Sequence, residues 1–144
     1  GYRGLIFDID NTLVPHGAPA DERAITLFER LREIGFDTCL ISNNQESRVK
    51  PFADRVGSKY VFDAHKPSTK NYKKAMGLMK TSKENTLFVG DQLFTDVWGA
   101  KRTGMKSILV KPIHPKEEIQ IVLKRYLEKI VLFFYKRSKK EKLL

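Results

Sequence analysis

The stretch Gly4-Leu5-Ile6-Phe7-Asp8-Ile9-Asp10-Asn11-Thr12-Leu13 decides the fold. An unbroken apolar run ends on two aspartates one residue apart. Such a run, rather than an alternating one, marks a strand buried on both faces, as in a parallel sheet covered by helices. In open α/β sheets the ligand site lies beyond the carboxyl ends of the strands. Asp8 and Asp10 stand at that end.

Outward from this strand the same unit repeats. Asp21 to Ile34 reads as a helix, with Ala24, Leu27, Phe28, Leu31 and Ile34 at helical spacing and Gly35 closing it. Thr38-Cys39-Leu40-Ile41 is a second buried strand. Glu46 to Val56 reads as a helix start with Pro51 in it, which leaves its first turn open. Tyr60-Val61-Phe62, Thr86-Leu87-Phe88-Val89 and Lys106 to Val110 complete five strands. Ser68 to Met79 and Phe94 to Arg102 are the helices between them, the latter ended by Gly104. A long helix is expected from Pro115 to about Tyr135. The expected architecture is α/β: a doubly wound, Rossmann-like three-layer sandwich with a mainly parallel five-stranded sheet. Residues 1–115 form the core. Residues 116–144 form an amphipathic helix and basic tail, packed on the core or extending from it.

The chain has 144 residues, enough for one substantial core. Its single cysteine excludes an internal disulfide and a cysteine-built zinc site, and favours a reducing compartment. The longest unbroken apolar run, Ile130 to Tyr135, falls far short of the ~18 residues that cross a bilayer. Arg3, Asp8 and Asp10 interrupt the start, which is therefore unlike a signal peptide. The net charge is +10, and residues 111–144 hold 10 basic against 4 acidic groups. Such a field attracts phosphates, nucleic acids and anionic membranes without choosing among them.

The polar groups at the strand ends converge. After the first strand come Asp8 and Asp10. Ser42-Asn43-Asn44 follows the second, Lys66-Pro67 precedes the third long helix, and Gly90-Asp91-Gln92 follows the fourth strand with Asp96 beyond. Two carboxylates ~4 Å apart repel by roughly 4 kcal/mol at an effective dielectric of 20. A fold that gathers Asp8, Asp10 and Asp91 is built for a cation, and an all-oxygen site favours Mg²⁺. Lys66 adds a second positive charge, while Ser42 and the backbone N–H groups after Asp8 suit phosphate oxygens. This is a phosphoryl-transfer constellation.

Asp8-x-Asp10-x-Thr12, Ser42, Lys66 and Gly90-Asp91 with Asp96 resemble, in order, the four motifs of the haloacid dehalogenase (HAD) phosphohydrolases. The resemblance implies roles. Asp8 is the nucleophile that forms an aspartyl-phosphate. Asp10 is the general acid, then base. Thr12, Ser42 and Asn43 hold phosphate, and Lys66 neutralises nucleophile and phosphate. The Asp8 carboxylate, the Asp10 carbonyl and Asp91 bind Mg²⁺. Asp96 supports the metal waters or Lys66.

Leu13 to Ala20 is too short for a cap, and so is the interval from Ser42 to Lys66. The chain thus resembles the capless class (subfamily IIIA), with the flap Val14-Pro15-His16-Gly17-Ala18-Pro19 as its one local gate. The wording Gly90-Asp91-Gln92-Leu93-Phe94-Thr95-Asp96 resembles the YqeG-type branch, which is related to phosphatidylglycerophosphate phosphatases. That implies a phosphorylated partner, an anionic phospholipid first. It also implies a cytoplasmic protein, peripheral on the inner membrane, or a mitochondrial or plastid one in a eukaryote, and a segment upstream of Gly1. The alternatives are a polynucleotide-end, small-metabolite or protein phosphatase, or a non-catalytic module. Nucleic acid is the less favoured partner, and the oligomeric state stays open.

In the tail, Val122, Leu123, Tyr126, Leu127, Ile130 and Phe134 line one helical face, followed by Lys136, Arg137, Lys139, Lys140 and Lys142. The face suits helix-on-sheet packing or, through 119–142, a membrane surface. The final lysine-rich run reads as a frayed, solvated end. Cys39 and Trp98 read as core, His65 as a strand-end residue, His114 as an exposed turn residue, and His16 as a flap residue more readily without substrate contact than with it.

Overall fold

The computed structural model describes residues 1–113 and 119–142. Five strands alternate with helices: β1 (Gly4–Phe7), α1 (Glu22–Ile34), β2 (Asp37–Ile41), α2 (Glu46–Val56), β3 (Lys59–Val61), α3 (Thr69–Met79), β4 (Thr86–Gly90), α4 (Trp98–Thr103), β5 (Lys106–Leu109) and α5 (Ile119–Lys142). The strands form one sheet in the order β3-β2-β1-β4-β5, and every pairing is parallel. The expected α/β sandwich is the observed one.

Strand alternation builds the two cores, because successive side chains point to opposite faces. Leu5, Phe7 and Leu40 pack with Ala24 and Phe28 of α1 and with Val49, Phe52, Ala53 and Val56 of α2. Ile6, Cys39, Ile41 and Phe88 pack with Tyr72, Ala75, Met76 and Met79 of α3 and with Ala100 of α4. Ring pairs mark each core, Phe7 with Phe28 and Tyr72 with Phe88, each with centroids 5.2 Å apart. Burial on both faces explains the continuous apolar strands in the middle of the sheet.

Local chemistry sets the helix ends. Asp21 caps α1 by accepting from the Ala24 N–H, and Gly35 ends it at φ 106°. Pro51 lies inside α2, and the helix continues through it. Gly99 lets α4 approach α3: a Cβ there would fall on the Tyr72 ring.

Four expectations are corrected. The expected β3 shifts by one residue, because Phe62 begins the turn through Asp63 (φ 47°) and is 40% exposed. The edge strand β5 ends at Leu109, one residue before the expected Val110, and Ile108 and Leu109 on it are exposed. The expected helix from Phe94 starts as a π-helical turn, Leu93–Val97, before α4. Trp98, expected in the core, is 51% exposed, with its ring 6.3 Å from that of Phe94. Cys39 is fully buried, as expected, and burial pushes its thiol up to about 12.

Two compact units are present, Gly1–His114 and Pro115–Leu144. The second contains α5, which runs through the basic stretch to Lys142; the frayed end expected there is helical. Leu127, Ile130, Val131, Phe133, Phe134 and Tyr135 are exposed on it, and Lys139 Nζ lies 5.5 Å from the centroid of the Tyr135 ring. His114 and the expected start at Pro115 lie outside the described residues, as do the side chains of Val122, Leu123 and Tyr126. No described helix is long and apolar enough to cross a membrane.

Candidate active site

The sheet order places β1 and β4 side by side, and their chains leave toward opposite faces. This is the switch point where such sheets open a crevice. Asp8 leaves β1 and Asp91 leaves β4, in neighbouring strands whose register pairs Phe7 with Val89.

The β1 loop is shaped by Asn11, which takes a left-handed φ of 59° that asparagine tolerates better than most residues. The turn is closed by Leu13 N donating to Ile9 O at 2.9 Å and Asn11 N to Val14 O at 2.8 Å. It carries the Thr12 hydroxyl back to the carboxylates, 3.0 Å from Asp8 Oδ2 and 3.1 Å from Asp91 Oδ1. Thr12, expected to bind phosphate, bridges the two acids. Its one proton serves either oxygen.

Lys66 reaches the centre from the segment before α3. Its Nζ donates to Asp8 Oδ1 at 2.8 Å and to Asp96 Oδ1 at 2.6 Å. All three groups are buried. Burial works against the lysine charge, but the two carboxylates outweigh it, and Lys66 lies above the ordinary lysine pKa. Burial pushes Asp8 up to about 6, opposed by Lys66 and assisted by Asp91. Burial, with Asp8 adding to it, lifts Asp96 to about 6 against the pull of Lys66. The cluster carries more negative charge than its one lysine balances.

Asp96 is aimed by the π-helical turn. The Gln92 carbonyl accepts from both Asp96 N and Val97 N, at 2.9 and 3.2 Å. Gln92 N donates to Asp96 Oδ2 at 3.1 Å, and Thr95 Oγ1 donates to Gln92 Oε1 at 2.8 Å. The fully buried Tyr72 hydroxyl lies 2.9 Å from Thr95 O and 3.1 Å from Asp96 O, pinning the turn from α3. Gly90 admits this arrangement, because a Cβ there would come within 2.5 Å of Asp96 Oδ2.

The β2 loop supplies Ser42 and Asn43. Ser42 is buried, and its Oγ accepts from Asn44 N at 3.1 Å. The Asn43 side chain accepts from Lys66 N at 2.8 Å, so it ties this loop to the lysine segment. Asp10 turns the other way. Its Oδ1 accepts from Gly17 N at 2.8 Å and Arg48 Nη2 at 2.9 Å, and its Oδ2 from Asn44 Nδ2 at 2.8 Å. The sequence gives no sign of the roles of Arg48 and Tyr72, and marks Asn44 only as part of Ser42-Asn43-Asn44. Arg48 stands six residues past Ser42 on an amphipathic helix, a pattern indistinguishable from a solvated arginine. His65 is exposed, 3.3 Å from Asp63. His16 is exposed on the flap.

Asp8, Asp91 and Asp96 bring carboxylate oxygens within 4.8 Å of one another, all buried. Hard oxygen donors with surplus negative charge fit a divalent cation. Asp96 is held by the Lys66 ammonium and the Gln92 N–H, whereas Asp8 Oδ2 and Asp91 Oδ1 share the one Thr12 hydroxyl proton, so Asp8 and Asp91 are the carboxylates better placed to ligate. The Asp10 carboxylate lies outside this cluster, so any Asp10 ligand is its carbonyl.

Comparisons agree with this geometry. A HAD-hydrolase-like family model matches residues 63–118. The probable phosphatase YqeG of Bacillus subtilis is 38% identical over 94% of this chain and 80% of its own length. The Arabidopsis thaliana phosphatidylglycerophosphate phosphatase 1 is 26% identical over 95% of this chain, which spans 42% of that enzyme. A crystal structure from Corynebacterium glutamicum superposes with a TM-score of 0.65 at 20% identity, covering 93% of this chain and 96% of that one. The chain belongs to the HAD-like phosphatase family, with the probable phosphatase YqeG of Bacillus subtilis among its relatives. Its class is phosphoric monoester hydrolase, and its substrate is a phosphorylated compound. No cap domain is present among the described residues.

Proposed function

We propose that this chain is a Mg²⁺-dependent phosphatase that works through an aspartyl-phosphate on Asp8 and dephosphorylates phosphatidylglycerophosphate. The observation that carries the chemistry is the buried Asp8–Lys66–Asp96 triad beside Asp91. Lys66 holds Asp8 Oδ1, and the Thr12 hydroxyl donates to Oδ2. That oxygen attacks phosphorus, and Asp10 gives a proton to the departing oxygen. Water then attacks the phospho-aspartate, and Asp10 takes its proton. Ser42, Asn43 and Thr12 line the phosphate side. Bound Mg²⁺ would be held by Asp8, Asp91 and the Asp10 carbonyl, and would supply charge stabilisation for the transferring phosphoryl group.

The lipid substrate is supported by the plant relative named above. It is supported also by α5, where exposed Leu127, Ile130, Phe133 and Phe134 precede Lys136, Arg137 and Lys139. Apolar groups beside a basic cluster suit an anionic leaflet, at about 1 kcal/mol per basic residue near the surface. On this reading the protein is peripheral, on the side of the membrane where the lipid phosphate is exposed. The test is phosphate release from phosphatidylglycerophosphate in mixed micelles with Mg²⁺, beside a 5′-phosphorylated oligonucleotide and p-nitrophenyl phosphate. Release from the lipid at least ~10-fold faster than from the other two is expected. Release from the chromogenic ester alone would refute the lipid substrate and keep the chemistry.

The metal assignment predicts a pH-dependent thermal shift. Asp8 and Asp96 ionise near pH 6 in the metal-free protein, so protons compete with the cation below that value. Saturating Mg²⁺ should raise Tm by roughly 5–10 °C at pH 7.5 and by much less at pH 5.5. Equal shifts at both pH values, or none, would reject a carboxylate-bound cation.

A further inference from the structure

Asp10 and Asp8 are held by separate sets of partners. Lys66 and Thr12 serve Asp8. Gly17 from the flap, Asn44 from the β2 loop and Arg48 from α2 serve Asp10. All three of the latter donate, and together they engage both carboxylate oxygens. The cradle therefore fixes both side-chain torsions of Asp10.

Arg48 is the charged member, and its placement is specific. The ion pair to Asp10 is largely shielded, with Arg48 and Asp10 side chains 21% and 13% exposed. The guanidinium carbon lies 5.7 Å from the centroid of the Phe52 ring, one turn further along α2. Its Nε is buried without a partner. A buried N–H left unpaired is a cost that the fold accepts here while directing Nη2 at Asp10. A charge-assisted bond of this kind is stronger and better aimed than a neutral one.

The geometry points to Arg48 as the positioning residue for Asp10 in the second half of the reaction. This rests on the reading of Asp10 as acid and base. In that half-reaction a water oxygen bonds phosphorus, and the phosphorus–Asp8 oxygen bond breaks with its electron pair returning to the Asp8 carboxylate. The water proton passes to the Asp10 carboxylate. The three-donor cradle, with Arg48 as its charged member, fixes where that carboxylate stands when the water attacks. The polar contact of Arg48 is to Asp10, so it acts through Asp10.

The test uses p-nitrophenyl phosphate, whose leaving group departs without protonation. Breakdown of the phospho-aspartate then limits turnover. Arg48→Ala is expected to lower kcat about 10–100-fold with KM falling in parallel, so that kcat/KM stays within about 2-fold. Acid-quenched protein should carry accumulated aspartyl-phosphate. Arg48→Lys should restore part of kcat, because an ammonium keeps the charge without the fixed fork. Asp10→Asn should show the same pattern more strongly, and adding Arg48→Ala to it should cost nothing further. If Asp10→Asn shows the pattern and Arg48→Ala instead lowers kcat/KM without trapped phospho-aspartate, the inference is overturned alone. If Asp10→Asn lacks the pattern, the acid–base reading of Asp10 falls and takes the inference with it.

Discussion

Asp8→Asn is expected to fold and to lose phosphomonoester turnover by at least ~10⁴-fold, because an amide oxygen cannot serve as the nucleophile. The same substitution should leave the metal-free protein as stable as the original or more so at pH 7.5. The folded carboxyl is raised from 3.8 to about 6. A raised carboxyl costs the fold its charge: the penalty is absent below about pH 4, grows as pH rises, and is complete above about pH 6. That shift corresponds to about 3 kcal/mol. Asparagine keeps the shape and an acceptor for Lys66 while removing the charge. In Mg²⁺ the order should reverse, since the variant has lost a ligand. Thermal melts with and without Mg²⁺, beside a turnover assay, read all of this. Original-level turnover would remove Asp8 as nucleophile. A metal-free melt several degrees lower would remove the electrostatic account.

Lys66→Met should be the most damaging change in the core unit. It strips the cation from two buried carboxylates, 2.8 and 2.6 Å from the ammonium. Removing one partner of a buried ion pair costs about 3–5 kcal/mol. The sign of the pH dependence follows from the shifts. With Lys66 present, its raised pKa keeps its stabilisation intact until pH climbs beyond the ordinary lysine range. Without it, Asp8 and Asp96 rise further above their already raised values, and the penalty deepens as pH increases through them. Urea melts should show the variant far less stable than the original at pH 8, with much of the gap closed at pH 5.5. A gap of the same size at both pH values would contradict an electrostatic origin. Turnover should be lost at either pH.

Much of this was legible in the residues. Uninterrupted strands such as Leu5–Phe7 and Leu40–Ile41 announce burial on both faces, and Gly35 ends α1 where an αL residue is needed. Asp8, Asp91 and Lys66 were legible because charged groups at strand ends have few structural reasons to gather, whereas the Asp10 carboxylate, expected among them, turns to Gly17, Asn44 and Arg48, and Asp96 takes its place in the cluster. What stayed hidden depends on side chains crossing between elements. Tyr72 reads as one more apolar position of α3, yet its hydroxyl holds the backbone that aims Asp96. Arg48 reads as a surface charge, yet it meets Asp10 across the crevice. The π-helical turn escaped because helical spacing looks the same whether Gln92 O bonds one residue or two. Trp98 was misjudged because an aromatic on an amphipathic helix fits either side of it.

The pairing of β1 also governs when this site comes into being. Gly4 pairs with Asp37 on one side and with Thr86 on the other. The second pairing closes a much longer stretch of chain, at roughly 0.8 kcal/mol more loop-closure entropy. Non-local pairings of this kind form slowly. Asp8 therefore waits for Asp91 and Asp96 until the chain past β4 has been made and docked. A chain ending near β3 holds Asp8 and the β2 loop but neither Asp91 nor Asp96, so the buried cluster is assembled only after β4 joins the sheet.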